Sequence, residues 1–332
     1  MKKIMINTME KMIERLLLST GINHEDVKKV TDVYMRAMYR DVGHHDIKNL
    51  PGRINALKEN KINPNPNIQK ISGFGGLECY DGDNGLGELC SYFVTKRSIE
   101  LSKENGIGFC SVRNSNHFLS AAPYVELADE MGFLTIVMSK SPTGISLPGA
   151  NKNIIGNNPF GFAAGYDQGR ILFDICCAYS SFGKMKQKAD KGEEVPEFWG
   201  CDANGEPTSD PNKISKSGLY MPMGEHKGFG IALLVEILTS ILSEGTILDQ
   251  GMEEVEFKGR YSQTAISINI QNIMDMRNYR KRNQQMVNTL KELFPNIYIP
   301  GERSTEVKEQ IKEKGYFEVD DQVAEQIQCM SE

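Results

Sequence analysis

The stretch GIGFCSVRNSNHF, residues 106–118, forms the core of the predicted fold. Its apolar first half predicts a buried strand over residues 106–112, and the periodic apolar positions of residues 121–131 predict a helix after it. His117 lies between the two, among small polar residues. Enzymes with α/β folds place catalytic groups where a strand gives way to a helix, and histidine exchanges protons near neutral pH. His117 is therefore a candidate catalytic residue.

The composition is that of an ordinary soluble protein, 39% hydrophobic and 25% charged. With 332 residues the chain is long enough for about two domains. Its 38 basic and 44 acidic residues give a net charge of −6, which argues against nucleic acid or an anionic membrane as a partner. The seven cysteines contain no CxxC pair, which favours apolar packing over metal binding. Their pattern fits a reducing cytoplasm.

Two apolar stretches could be mistaken for membrane segments. Polar residues interrupt the N-terminus, so we expect no signal peptide there. The longest apolar stretch, residues 228–242, is too short to cross a bilayer and is expected to be a buried helix.

Hydrophobic periodicity organises the rest of the chain. Residues 9–17 and 27–38 have helical spacing, with Asn23 as a plausible N-cap of the second helix, and residues 58–67 look like a linker. Strands are predicted over residues 106–112, 133–139, 171–177 and 265–270. Helices are predicted over residues 89–105, 121–131, 228–243, 273–294 and 304–314, and a loop over residues 181–220. This alternation predicts an α/β or α+β protein with a helical part (1–70), an α/β part (71–220) and a C-terminal part (221–332) that packs back on the first.

The other histidines are weaker candidates. His24 lies in the first turn of a helix beside acidic residues, which favours a surface position. His44 and His45 follow a helix end, where either a polar loop or a site is possible. His226 and Lys227 begin the apolar helix among glycines, a pattern that fits an anion site or a purely structural helix entry.

Several familiar signatures do not occur. The chain has no GxGxxG, GxxxxGK[ST], HExxH or GxSxG, which disfavours a Rossmann dehydrogenase, a P-loop NTPase, a zincin and an α/β-hydrolase. His44, His45 and Asp46 are metal-ligand types, but three contiguous residues rarely converge on one ion, so no metal is predicted.

Motifs spread over nearly the whole chain resemble the malate/L-lactate dehydrogenase superfamily, which lacks a Rossmann fold and includes 2,3-diketo-L-gulonate reductase and ureidoglycolate dehydrogenase. The order and spacing of the motifs make the match specific. They are HDIKNLP (45–51), NGLG (84–87), VRNSNHF (112–118), IGNNP (155–159), DANGEPT (202–208), MGEHKG (223–228) and PGER (300–303).

The resemblance implies a non-Rossmann NAD(P)-binding α/β domain enclosed by a helical domain built from both chain ends. It implies interconversion of a 2-oxo acid, or a cyclic 2-imino acid, with its 2-hydroxy or amino counterpart. NAD and NADP are both possible, because this fold lacks the acidic residue that signals ribose recognition in Rossmann proteins. Members are typically homodimers with sites near the subunit interface.

The resemblance also implies roles for individual residues. His117 matches the general base of one branch and His45 the proton donor of another, and the sequence does not decide between them. His226 and Lys227 match a phosphate-contacting pair. The remaining cofactor positions are Ser141, the strand residues Ile171, Leu172, Phe173, Asp174, Ile175, Cys176 and Cys177, and the loop residues Gly301, Glu302 and Arg303.

Departures from the family pattern concern the substrate side. Asn49 stands where the family has an arginine suited to a bidentate grip on a carboxylate, and Arg53 stands where an aromatic residue is common. Leu119 replaces a glycine, and His44 replaces a serine. We hypothesise that Arg53 supplies the missing cation and that His44 adds a donor. A substrate with a different polar group, a cyclic ketimine reductase and a catalytically silent cofactor-binding homologue are the alternatives.

Overall fold

The computed structural model describes residues 1–43, 45–147, 149–248 and 259–331. The strands in these ranges are β1 Lys2–Met5, β2 Gln69–Phe74, β3 Leu77–Gly85, β4 Ile107–Ser115, β5 Phe133–Lys140, β6 Thr143–Ile145, β7 Ile155–Gly156, β8 Phe160–Tyr166, β9 Gly169–Ile175, β10 Gly200–Cys201, β11 Leu219–Tyr220, β12 Tyr261–Asn269 and β13 Tyr316–Val319.

The helices in the same ranges are α1 Ile6–Leu18, α2 His24–Met38, α3 Leu50–Lys58, α4 Gly87–Asn105, α5 Ala122–Glu130, α6 Phe182–Asp190, α7 Pro211–Ser217, α8 His226–Glu236, α9 Met276–Leu293, α10 Glu302–Lys314 and α11 Asp321–Ser331. Helix α8 continues into a π-helical turn, Ile237–Ile241, and a 3-10 turn, Ile47–Asn49, precedes α3. No helix in the described ranges has both the length and the apolarity needed to cross a membrane.

A mixed seven-stranded sheet in the order β2-β3-β4-β12-β5-β8-β9 forms the centre of the molecule. Strands β3 and β4 are parallel and α4 connects them, whereas β12 comes from the C-terminal part and runs antiparallel to both β4 and β5. The pairs β5–β8 and β8–β9 are antiparallel. Strands β4, β5 and β9 therefore run in the same direction, and their carboxyl ends meet at one edge of the sheet.

Polar contacts fix the layers on the two faces of the sheet. Ser98 of α4 makes a 2.8 Å hydrogen bond with Ser267 of β12. On the other face Thr264 donates to the Leu238 carbonyl in the π-helical turn at 2.9 Å. Thr264 and Ser267 lie three positions apart on β12, so their side chains point to opposite faces, and the sheet is covered on both sides.

The two ends of the chain meet in one helical layer, as the family resemblance implies. Strand β1 pairs antiparallel with β13, with Ile4 opposite Phe317. The hydrophobic core continues from α1 through α2 and α4 to α11, and Ile13 and Ile327 in it are completely buried. The α/β fold class expected from the sequence is confirmed.

Some local predictions were wrong. The predicted loop over residues 181–220 contains α6, α7 and the paired strands β10 and β11. Helix α6 buries a single residue, Met185, so the apolar period that identifies a helix is almost absent. The helix predicted over residues 228–243 is not buried throughout, since Leu234 is 53% exposed and Ile237 45%.

Candidate active site

A cavity of about 340 Å³ lies at the edge of the sheet where β4, β5 and β9 end. Clefts at the carboxyl ends of strands are where α/β proteins commonly bind ligands. Residues from the ends of these three strands contribute to its wall, together with the end of α2 and the start of β12. Its lining includes Arg40, His45, His117, Ser120, Ser141, Asn157, Asp174, Ile175, Cys176 and Tyr261.

A tight loop after β4 holds His117 in the cavity. Asn116 anchors this loop because its side-chain amide donates to the Gly85 carbonyl at 2.9 Å. The Leu119 backbone has a φ of 69°, a left-handed conformation that glycine adopts without strain, which explains why the family pattern has glycine there. The Leu119 amide donates to His117 Nδ1 at 3.1 Å and fixes the ring.

His45 lies against His117, so the structure brings together the two catalytic candidates. Their ring centroids are 5.2 Å apart with planes inclined by 29°. The Tyr261 ring meets His117 edge-on at 5.7 Å. Desolvation by the surrounding protein, with smaller contributions from Arg53 and His45, lowers the pKa of His117 well below its ordinary value.

Arg53 lies behind His117 rather than in the wall of the cavity. Its Nε donates to Glu88 Oε1 at 3.1 Å and its Nη2 donates to His117 Nδ1 at 2.8 Å. The side chain is only 8% exposed, and that of Glu88 is fully buried. In this position the guanidinium faces a carboxylate and an imidazole of the protein.

Of the two other substrate-side candidates, the structure describes only Asn49. This residue ends the 3-10 turn before α3, and its Oδ1 is buried without a hydrogen-bond partner among the described residues. His44 lies outside the described residues.

Arg40 is a site residue that the sequence did not reveal. Its Nη1 donates to Asp174 Oδ2 at 2.6 Å and to Ser120 Oγ at 3.4 Å, and its side chain is 12% exposed. Asp174 also accepts the Ala122 amide, in the first turn of α5, at 3.3 Å. Arg40 follows α2 and is 134 residues from Asp174, so only the fold brings the two together. It is the one Lys or Arg among the described residues that line the cavity.

The predicted cofactor residues after β5 and in β9 divide into two groups. Ser141 lines the cavity and donates to Asn157 Oδ1 at 2.8 Å; Asp174, Ile175 and Cys176 line it as well. The others face elsewhere. Ile171 lines a separate apolar groove beside α9, Leu172 belongs to the core, the Phe173 ring packs on Phe160 and Phe162, and the buried Cys177 thiol donates to the Asn158 carbonyl at 3.2 Å.

The predicted phosphate pair is exposed at the start of α8. His226 and Lys227 are the first two residues of this helix and both side chains are exposed. The Met223 amide donates to the Cys177 carbonyl at 2.8 Å, which ties this helix start to the chain just after β9. An exposed cation at a helix N-terminus is suited to an anion.

The loop of Gly301, Glu302 and Arg303 lies on the outer side of β9. Gly301 has a φ of 102°, and a Cβ atom there would lie 2.6 Å from the Leu172 amide nitrogen, so only glycine fits. Glu302 Oε2 accepts the Ile299 amide at 3.1 Å. Arg303 Nη2 donates to the Asp41 carbonyl at 2.9 Å, next to Arg40. This loop therefore supports the chain segment that carries Arg40.

A metal centre was not predicted. Over the part of the chain that the structure describes, no group of three or more His, Cys, Asp or Glu side chains could hold a metal ion.

Comparisons with known proteins agree on one family. The family model described as malate/L-lactate dehydrogenase matches residues 4–328. A malate dehydrogenase from Pyrococcus abyssi is 31% identical over 303 residues, covering 88% of this chain and 84% of the relative. An L-sulfolactate dehydrogenase from Methanocaldococcus jannaschii is 30% identical over 324 residues, covering 96% and 93%. The crystal structure of a malate dehydrogenase from Entamoeba histolytica superposes with a TM-score of 0.91 at 25% identity, covering 99% and 97%.

Proposed function

Because the chain belongs to the malate/L-lactate dehydrogenase family, we propose that it is an NAD- or NADP-dependent oxidoreductase that interconverts a small 2-oxo acid and its 2-hydroxy counterpart. The observation that carries the proposal is the stacking of His45 on His117 in the wall of the cavity. Reduction of a carbonyl leaves an alkoxide that needs a proton from an acid within hydrogen-bond distance. Two adjacent imidazoles supply that chemistry.

The residues present fit a nicotinamide cofactor. When bound, this cofactor gives a hydride to the carbonyl carbon or takes one from the hydroxy acid. Ser141, Asn157 and Ile175 offer hydroxyl, amide and apolar groups for a carboxamide ring on the cavity wall. His226 and Lys227 offer exposed cationic and hydrogen-bonding groups for a diphosphate, at the start of α8.

We propose that Arg40, rather than Arg53, receives the substrate carboxylate. Arg40 lines the cavity that holds both histidines, whereas Arg53 is engaged by Glu88 and His117 behind the wall. One edge of the Arg40 guanidinium is held by Asp174, which fixes its plane. Arginine can bind a carboxylate in a forked geometry that lysine cannot reproduce.

The test is a substrate panel. We expect NADH or NADPH to be oxidised in the presence of pyruvate, oxaloacetate or diketogulonate, and His117→Ala to reduce the rate at least about 100-fold. The exposed His24→Ala is the matched control and should keep full activity. Activity with piperideine-2-carboxylate alone would identify a ketimine reductase instead. No turnover of any substrate by a folded protein that binds NADH would identify a silent homologue.

We also propose that the protein is a homodimer in the cytoplasm. Apolar side chains are exposed along α8 and its π-helical turn, including Leu234 and Ile237, and this helix begins with the predicted phosphate pair. A second copy of the chain would cover this face and bring the interface close to the cofactor, as the family resemblance implies. All seven cysteines are free thiols, which fits a reducing compartment.

A further inference from the structure

A buried ion pair stands directly behind His117. The Arg53 guanidinium donates to Glu88 on one side and to His117 Nδ1 on the other, at 3.1 and 2.8 Å. Glu88 Oε1 also accepts the Tyr34 hydroxyl at 3.0 Å, and Tyr34 is completely buried. Arg53 is thus held in one position by its neighbours and presents a fixed N–H to the imidazole.

His117 Nδ1 receives two hydrogen bonds from groups that can only donate. One donor is Arg53 Nη2, and the other is the Leu119 amide at 3.1 Å. A guanidinium has no acceptor and does not deprotonate in proteins, and a backbone N–H is a donor only. Nδ1 must therefore offer its lone pair, so the neutral ring carries its proton on Nε2. Because His117 lines the cavity, this Nε2–H is the donor that the ring can offer to a ligand there.

We propose that Arg53 and Glu88 are positioning residues that lock His117 as the Nε2–H tautomer, so that His117 donates a hydrogen bond to the substrate carbonyl oxygen while His45 transfers the proton. This division of labour rests on the proposed function. It also answers the question that the sequence left open, namely which histidine is the acid and base.

The proton balance follows from the tautomer. In reduction, hydride adds to the carbonyl carbon and the C–O π pair moves to the oxygen. His117 Nε2–H stabilises the resulting alkoxide by a hydrogen bond, and the alkoxide takes a proton from the His45 imidazolium, which becomes neutral. In oxidation His45 takes the hydroxyl proton. His117 cannot take it, because Nε2 already bears hydrogen and Nδ1 faces a guanidinium.

The charged and titratable groups around His117 favour its neutral form. Arg53 faces it from α3, His45 from the loop before α3 and Tyr261 from β12, with Glu88 of α4 behind Arg53. Desolvation, Arg53 and His45 all lower the pKa of His117. Glu88 accepts from Arg53 Nε and His117 from Arg53 Nη2, so the carboxylate and the imidazole engage different nitrogens of the guanidinium.

The tautomer can be observed directly by NMR of protein labelled with ¹⁵N only in its five histidines, with the His117 signals assigned from the spectrum of His117→Gln. We expect a neutral ring protonated at Nε2, with shifts that stay constant from pH 7.5 to 5.5. A proton on Nδ1, or a charged ring at pH 7, would overturn the proposal. The spectrum requires no turnover, so it decides the tautomer even for a protein that reduces no oxo acid, an outcome that would refute the proposed function alone.

Variants test the positioning role. Removing Arg53 alone would leave Glu88 as a buried unpaired charge, so the informative variant is Arg53→Met with Glu88→Gln, in which the new amide oxygen still accepts the Tyr34 hydroxyl. We expect this variant to contain a mixture of His117 tautomers and to show an added ionisation in the pH profile of kcat. Its kcat should fall roughly tenfold, which is less than the loss expected when a transition-state hydrogen-bond donor is removed completely. The single variant Arg53→Lys, which keeps a cationic donor beside Glu88, should show more of the Nε2–H tautomer than the double variant.

The matched control is Arg36→Met, which breaks another partly buried ion pair, with Asp32 and Glu130, outside the cavity. It should leave both the tautomer and the pH profile unchanged. An unchanged tautomer and pH profile in the Arg53→Met, Glu88→Gln variant would refute the role of the pair.

Discussion

Two arginines, Arg53 and Arg40, have different surroundings in the fold, and only Arg53 is a candidate from the sequence. Arg53 departs from the family pattern and attracts attention as a possible carboxylate ligand, but its guanidinium is engaged by Glu88 and His117. Arg40, in the charged segment after α2, lines the cavity beside both histidines. This difference is why we propose Arg40 as the ligand of the substrate carboxylate and Arg53 as a residue that acts through His117.

Arg40→Lys should raise KM for the oxo acid about tenfold and change kcat little. Lysine keeps a positive charge beside Asp174 but loses the forked donor. The bound substrate and the transition state therefore lose about the same binding energy, which raises KM and leaves kcat almost unchanged. Steady-state kinetics check this, and the neutral amide of the same oxo acid is the control, since its KM should not rise. If Arg53→Lys rather than Arg40→Lys raised KM for the acid, Arg53 would be the carboxylate ligand.

The protonation of His117 should be visible in the pH dependence of stability. The folded protein keeps this ring neutral, whereas the unfolded chain protonates it below about pH 6.5. The unfolded state then binds more protons, so His117 lowers the free energy of unfolding as pH falls below about 6.5, with a slope of at most about 1.4 kcal/mol per pH unit. Urea unfolding between pH 5 and 7.5 should show this slope reduced in His117→Gln and kept in His24→Gln. An equal slope in all three proteins would contradict it.

Among the secondary-structure elements, β3 is clamped to α4 by a carboxylate. Glu78 accepts Arg97 Nε at 2.6 Å and Lys70 Nζ at 2.6 Å. The hydrogen bond from Arg97, followed by those from Lys70 and Tyr80, lowers the pKa of Glu78 to about 2 in spite of burial. The clamp therefore contributes stability above about pH 4.5, and that contribution is lost as pH falls toward 2.

Glu78→Gln should lower the free energy of unfolding at pH 7 by about 2 kcal/mol, the size expected for a buried charged hydrogen bond. The difference from the wild type should narrow as pH falls from 4.5 toward 2, which denaturant titrations at several pH values can follow. Glu100→Gln removes an exposed partner of the same arginine and should cost less than about 0.5 kcal/mol. Equal losses in the two variants would show that burial at Glu78 is unimportant.

The elements that sequence can predict are those with a strong period. Residues 106–112 and 121–131 gave the strand and helix on either side of His117 to within a few residues, as β4 and α5 show. Strand β2 escaped prediction because all of its residues are exposed, so it lacks the alternation of a half-buried strand. The insertion of β12 between β4 and β5 is likewise a property of the fold, not of the local sequence.

The same limit applies to the site. His117 could be proposed from its position between a strand and a helix, whereas the catalytic role of His45 could be proposed only from the family resemblance. Arg40 and Glu88 could not, since the partners that give them a role, Asp174 and Arg53, are distant in sequence. A signal for Glu88 does exist in hindsight. It is a charged residue one position after the glycine that begins α4, in a segment otherwise suited to the core.

In the molecule as a whole, the apolar face of α8 and its π-helical turn should mediate dimerisation. Leu234→Glu with Ile237→Glu places two charges on this face and should convert a dimer to a monomer at micromolar concentration, as light scattering after size exclusion would show. Leu18→Glu, at another partly exposed apolar position on α1, should leave the dimer intact. A wild-type protein that is monomeric would contradict the proposed dimer.

We propose that both histidines contact the substrate oxygen, His117 as a hydrogen-bond donor and His45 as the residue that transfers the proton. The decisive test is a crystal structure of the protein with an unreactive oxo-acid analogue and with NADH or NADPH, whichever the enzyme uses better. We expect the carbonyl oxygen within about 3.2 Å of His117 Nε2 and of a His45 ring nitrogen, with the carboxylate on Arg40. A carbonyl oxygen out of reach of both rings would contradict this arrangement.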